Sequence, residues 1–377
     1  MKTKAQKGVL IVDIGSASVG AGFVRFEKVG PVLERVGRKA IGAGSKETRE
    51  ALQPQMLAAL DELLKGYEGA YDDVRIVVAA PWESSQIRTI KSKSDKPSSV
   101  SMRHIERLIE QYKNEKPPAA GNLDVEAAAV QIRVNNYPTN LVEPVIGTHI
   151  AVNLYESEMP GQIGKAIAER VVAHLQATRM TFYTFPLIAS ASLRAVTDET
   201  SFIFVDIGGE VTELGIMHGD ALHYLASIPK GYWTLLREMG GSKKDEATVG
   251  DARSRLALWV KEELDPEEAA SIEEQFGAVL MPWLTELEET LKEASAVVPV
   301  PRTLFIMSDT EPAKWIKKGI DMKGTVSLAP TVIVPATVQR IIDVGDGGVF
   351  DIFLCLEAIF FHVGDKTVVG EPVPRKR

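Results

Sequence analysis

Two apolar runs in this chain end on the same phrase. Val9-Leu10-Ile11-Val12 leads into Asp13-Ile14-Gly15-Ser16-Ala17-Ser18, and Phe202-Ile203-Phe204-Val205 leads into Asp206-Ile207-Gly208-Gly209-Glu210-Val211-Thr212-Glu213. Each pattern predicts a buried strand that stops on Asp and turns at Gly. Further apolar runs predict strands over residues 74–80, 130–134, 148–155 and 300–307, and a hairpin turning at 217–222. Helical spacing of Ile105, Leu108 and Ile109 predicts a helix over 102–114, broken by Pro117-Pro118, and Ile167, Val171 and Leu175 predict another over 164–175. Residues 233–291 read as charged helices, with Asp265-Pro266-Glu267-Glu268 opening a new one. Residues 91–101, rich in Lys and Ser, carry no periodic pattern. The apolar run over 352–361 predicts a packed helix of the second half of the chain.

The repeated phrase has a definite chemistry. Gly lets the backbone turn tightly and expose consecutive N–H groups, a concavity for anions. Ser16, Ser18 and Thr212 add hydroxyl donors. Asp13 and Asp206 repel phosphate but suit Mg²⁺, which binds substrate phosphates alongside one or two carboxylates. One strand-Asp-x-Gly turn alone is common as an ordinary β-turn. The copies at 13 and 206 stand 193 residues apart, about one domain. That interval predicts two related lobes presenting matching loops to one cleft.

On these residues the chain resembles the actin-like ATPase superfamily, whose first and second phosphate motifs the two copies match. Within it the chain is most similar to the FtsA/PilM branch. Ile188-Ala189-Ser190-Ala191-Ser192-Leu193 stands where the family has a small-residue helix, and Ile228-Pro229-Lys230-Gly231 where it has an Ile-Pro-x-Gly turn. The resemblance implies an α/β, two-lobed actin-like fold, a duplicated ribonuclease H-like unit with a small inserted α+β subdomain. The expected division is 1–83 with 178–200 as first lobe, 84–177 as insert and 201–377 as second lobe. It implies ATP and Mg²⁺ as cofactors, with Asp13 and Asp206 on the metal, and Gly15, Ser16, Ser18, Gly208, Gly209 and Thr212 on phosphate. Glu210 and Glu213 would stand near an attacking water, giving at most a slow ATPase.

The chain also departs from the family. Where ATP-binding members have a Gly-Gly turn against adenine, it has Met307-Ser308-Asp309-Thr310-Glu311-Pro312. The family's ribose-holding Glu-x-x-Lys has only a loose echo in Asp245-Glu246-Ala247 with Arg253 and Arg255. Glu210 and Val211 replace the usual Gly and Thr. Three readings stay open: a nucleotide-binding assembly scaffold, a pseudo-ATPase interaction platform, and a small-molecule kinase of the same superfold. A kinase needs a general-base Asp beside a substrate pocket, and no loop offers one.

Composition narrows the partners. A net charge of −8, without a basic-aromatic cluster, argues against nucleic acid. The one cysteine, Cys355, reads as a buried, inert thiol, and six scattered His make no zinc spacing. No run is long enough to span a membrane, and residues 368–377, with two prolines, predict no amphipathic helix. Direct membrane insertion is not expected. The resemblance implies a cytoplasmic protein, peripheral at the inner membrane, recruited by a cytoplasmic segment of an inner-membrane protein and capable of self-assembly.

Overall fold

The computed structural model describes residues 6–42, 49–241, 246–323, 328–344 and 350–364. Asp245 and residues 368–377, named above, lie outside them. The first copy of the motif opens the chain: β1 (Gln6–Ile14), β2 (Ser18–Phe26), β3 (Pro31–Ala40), α1 (Arg49–Leu64) and β4 (Gly69–Val78). Then come β5 (Ser84–Val100), α2 (Met102–Glu115), β6 (Asn122–Val134), β7 (Tyr137–Thr139) and β8 (Val145–Pro160), followed by α3 (Gly161–His174), β9 (Leu175–Thr184) and α4 (Phe185–Thr197). The second copy gives β10 (Phe202–Ile207), β11 (Thr212–His218), β12 (Ala221–Ile228), α5 (Tyr232–Met239), α6 (Glu246–Lys261), α7 (Pro266–Ala294), β13 (Thr303–Met307), α8 (Thr310–Lys323) and β14 (Ala329–Val332). The last elements are α9 (Pro335–Val338), β15 (Asp343–Val344) and α10 (Ile352–Val363).

The duplication is written in the hydrogen bonds. One sheet runs β15-β3-β2-β1-β4-β9 and another β12-β11-β10-β13-β14. In both, an antiparallel three-strand meander is joined through its first strand to two parallel strands. Register repeats as well: Asp13 pairs with Gly20 and Asp206 with Glu213. The turns match, with Gly15 N donating to Ser18 O and Gly208 N to Val211 O, each at 3.0 Å.

Alternation along the two leading strands sets what each face meets. Leu10, Val12 and Ile14 point into a core with α1 and α3, while Ile203, Val205 and Ile207 join a core with α5–α8. Val9, Ile11, Phe202 and Phe204 face the opposite way, into one continuous core that α4 and α10 fill. Asp13 and Asp206 share that inner face, because side chains of period two return to it. Helix α10 locks to α4 where Ser192 Oγ donates to the Leu356 carbonyl at 2.7 Å.

Two boundaries differ from the sequence expectation. Helix α3 and strand β9, placed above in or across the insert, complete the first lobe. Ile163, Ile167 and Val171 pack with α1, and β9 pairs in parallel with β4. Helix α10 was assigned to the second lobe but closes over the first, where Leu354 packs against Gly22 and β15 pairs with β3. The insert proper is the four-stranded sheet β5-β8-β6-β7 with α2 on one face. Its Lys/Ser-rich stretch lies in the long strand β5, which pairs antiparallel with β8. The stripe Ile105, Leu108 and Ile109 on α2 is spent on that sheet.

Candidate functional site

The two motif turns meet across one cleft. It is lined by Asp13, Gly15, Ser16, Ser18, Asp206, Gly208 and Glu213, with Arg38, Tyr232 and Asp309 added. The turns touch: Glu210 N donates to Ser16 Oγ at 3.2 Å. The space the turns enclose is about 30 Å³, room for a water or two.

Arg38 dominates the chemistry. Its Nε and Nη2 donate to both carboxylate oxygens of Asp351, at 2.6 and 2.9 Å. Nη2 also donates to Asp13 Oδ2 at 2.7 Å, and Nη1 to Ser18 Oγ at 2.8 Å. Its guanidinium carbon lies 5.2 Å from the Phe353 ring centre. Register explains the reach, because Arg38 stands opposite Gly20, itself opposite Asp13. A Cβ at Gly20 would come within 2.6 Å of Arg38 Nη2, so only glycine leaves the path open. Burial works against the charge, but Asp351 and Asp13 outweigh it, and Arg38 stays protonated.

The carboxyls around it are crowded. Burial raises Asp13 above the usual carboxylate range, Arg38 pulling it back and Asp351 adding to the rise. Asp206 is raised well above that range by burial, then by Glu213, Asp13 and Asp309, and its Oδ1 is buried without a partner. Burial likewise raises Glu357 of α10 well above the usual carboxylate range, and Asp13 adds to the rise. Glu213 accepts from Ala80 N at 3.1 Å and lies beside Glu83, both carboxyls raised chiefly by burial. From Glu83 a buried chain of hydrogen bonds leads into the insert. Ser85 Oγ joins Glu83 Oε2 at 2.5 Å and Tyr155 OH at 2.7 Å, and Tyr155 OH joins Thr184 Oγ1 at 2.6 Å. Thr184 N donates to Glu126 Oε2 at 2.8 Å.

Three expected site residues stand elsewhere. Thr212 pairs with Ile207, on the outer face, where its hydroxyl donates to Lys230 O and accepts from Trp283 Nε1. Glu213, one residue on, takes the inner face. Both carboxylate oxygens of Glu210 accept from Arg237, fully buried on α5, which removes Glu210 from any water in the cleft. Gly209 lies under Trp233, and its carbonyl accepts from Trp233 N at 2.9 Å. Asp309 accepts from Tyr232 OH at 2.9 Å, and Glu311 pairs with Arg253. Side chains therefore occupy the place of the missing Gly-Gly turn. Arg38, Asp351, Glu357 and Glu83 were not singled out in the sequence; a lone Arg opposite a strand glycine, and an Asp capping the last helix, were the available signals.

These residues fit Mg-ATP poorly. The fold implies such a ligand, but Asp13 is committed to Arg38. The N–H groups of Gly15, Gly208 and Glu210 are committed to Ser18, Val211 and Ser16. Among the described residues no three His, Cys, Asp or Glu side chains converge to hold a metal ion.

No family model and no curated protein matches the sequence. Solved structures do match the fold. A chain of the PilM-PilN type IV pilus biogenesis complex superposes with a TM-score of 0.62 at 14% identity, covering 95% of this chain and 97% of that one. The fold is the actin-like ATPase fold, in its PilM-like form. Two weaker likenesses are EutJ, an ethanolamine utilization protein from Carboxydothermus hydrogenoformans, and a Bacteroides thetaiotaomicron protein of actin-like ATPase fold. EutJ gives a TM-score of 0.47 at 12% identity, over 93% of this chain and 89% of its own. The Bacteroides protein gives 0.43 at 8%, over 89% and 95%. Among the described residues no helix is long and apolar enough to cross a membrane.

Proposed function

We propose that this chain is an actin-like assembly scaffold that holds the cytoplasmic segment of an inner-membrane pilus-assembly protein, and so works peripherally at that membrane. The observation that carries this reading is the extent of the PilM-PilN likeness, which takes in both lobes and the insert rather than a nucleotide lobe alone. A cleft whose donors are internally bonded favours an interaction platform over a nucleotide-driven motor. The kinase reading lacks support, since Asp13 is bonded to Arg38, Glu213 to Ala80 N and Asp309 to Tyr232.

The test is direct. A labelled peptide copying the cytoplasmic N-terminal segment of a PilN-type pilus-assembly membrane protein is titrated with the purified protein. Saturable binding is expected, together with loss of the protein from membranes when that segment is deleted in cells. A peptide that never binds, or strong flotation with protein-free anionic vesicles, overturns partner-mediated recruitment.

A further inference from the structure

We infer that Arg38 is a resident counter-ion that takes the place of a divalent cation between the two motif aspartates, so that the cleft stays closed without metal or nucleotide. Three observations carry this, independently of the partner reading above.

The first is position. The guanidinium lies between Asp13 and Asp351 on the first lobe and faces Asp206 and Asp309 on the second, whose fields it feels. Without it, four carboxyls from two lobes meet across one narrow space. A cation bonded on the first lobe offsets the charge of the second lobe's carboxyls across that space; its loss leaves repulsion or forced protonation.

The second is that the place is built. Gly20 clears the path, Ser18 and both oxygens of Asp351 receive the fork, and Phe353 lies beside it. The second half of the repeat makes a contrast. There Glu213 stands at the position of Gly20 and Ser227 at that of Arg38. One lobe sends a cation inward and the other a carboxyl.

The third is saturation. Four of the five guanidinium N–H groups donate to protein oxygens, and the single N–H left on Nη1 makes no donor pair for a phosphate.

Thermal unfolding of the full chain tests this, with no addition, with millimolar Mg²⁺, and with Mg-ATP. The parent should melt at one temperature in all three. Arg38→Ala should melt lower and recover when Mg²⁺ alone is added, because removing the guanidinium opens a cation site between Asp13 and Asp206. Arg38→Gln, which keeps the bulk without the charge, should behave the same way. If either variant is unfolded as purified, refolding in Mg²⁺ is expected, and failure to refold there overturns the inference. It is equally overturned if both variants melt like the parent. The opposite pattern, a parent protected by Mg-ATP and variants that lose that protection, would make Arg38 a phosphate contact and the cleft a working nucleotide site.

Discussion

Replacing Arg237 by Met removes a charge from the tightest ion pair of the second lobe. Arg237 is fully buried and Glu210 is 6% exposed, so neither is screened by water. The pair ties the second motif turn to α5, which also reaches that turn through Tyr232 N to Gly208 O and Trp233 N to Gly209 O. Met fills similar volume but leaves the Glu210 carboxylate, among the described residues, with Thr234 Oγ1 at 3.5 Å as its side-chain donor. Breaking a buried pair by removing one partner destabilises by about 3–5 kcal/mol, roughly two to four powers of ten in the folded ratio. Removing both partners is a different matter. Arg237→Met with Glu210→Leu leaves no stranded charge, and such replacements are often neutral or stabilising. The expected result is a large loss for the single variant and recovery of most of it in the double. Urea unfolding would be followed by tryptophan fluorescence, with far-ultraviolet circular dichroism as a check on two-state behaviour in a two-lobed chain. A single variant that loses less than about 1 kcal/mol would refute the reasoning, as would a double no more stable than the single.

Other outcomes follow from the same geometry. Gly231→Ala should destabilise by about 1–3 kcal/mol, since its Cβ would stand 2.3 Å from Gly208 O and 2.4 Å from Gly209 O, backbone atoms that cannot step aside; chemical denaturation measures it. Leu108→Asp should loosen the insert itself, because the α2 stripe packs on its own sheet, and limited proteolysis should then cut within residues 84–160. Glu83, pushed well above the ordinary glutamate value of 4.5 chiefly by burial and then by Glu213, holds its proton in the folded chain at pH values where the unfolded chain has ionised it. The unfolded state then binds fewer protons, so this contribution is full below pH 4.5 and is lost as pH rises toward the folded value. Glu83→Gln should therefore flatten the fall in stability with rising pH, read as the difference from the parent across a pH series of melts.

The duplicated architecture was legible because it is written locally. An apolar strand, an Asp and a turning Gly appear twice, and both copies fold as read, down to matching turn hydrogen bonds. The helices α2, α3 and α7 were legible for the same reason, their stripes and the Asp265 cap being contained in a few residues. Strand β5 was not, because its Lys and Ser residues carry no alternation and its pairing comes from β8, far along the chain. The choice between Thr212 and Glu213 needed the register of β11 on β10, which a sequence does not state. Arg38 escaped notice because its partners are 20, 25 and 313 residues away. A side chain's reach across two strands depends on the small residue between them, and that neighbour is known only once the strands are paired.

The first lobe is assembled from distant stretches of chain, and this bears on how the protein is made. Residues of β1 and β2 pack against α10, so the N-terminal strands wait for residues 352–363 before their inner face is covered. Strands β10–β14 and helices α5–α8 form a contiguous stretch with its own outer core. On a ribosome that middle segment can complete its contacts while the earlier one still shows Val9, Ile11 and Val24 to solvent. Pairings so far apart in sequence close slowly, and exposed strands are open to aggregation meanwhile. The half synthesised first is thus the half finished last, and a chain cut short before residue 352 would leave that surface bare however well its second lobe had formed.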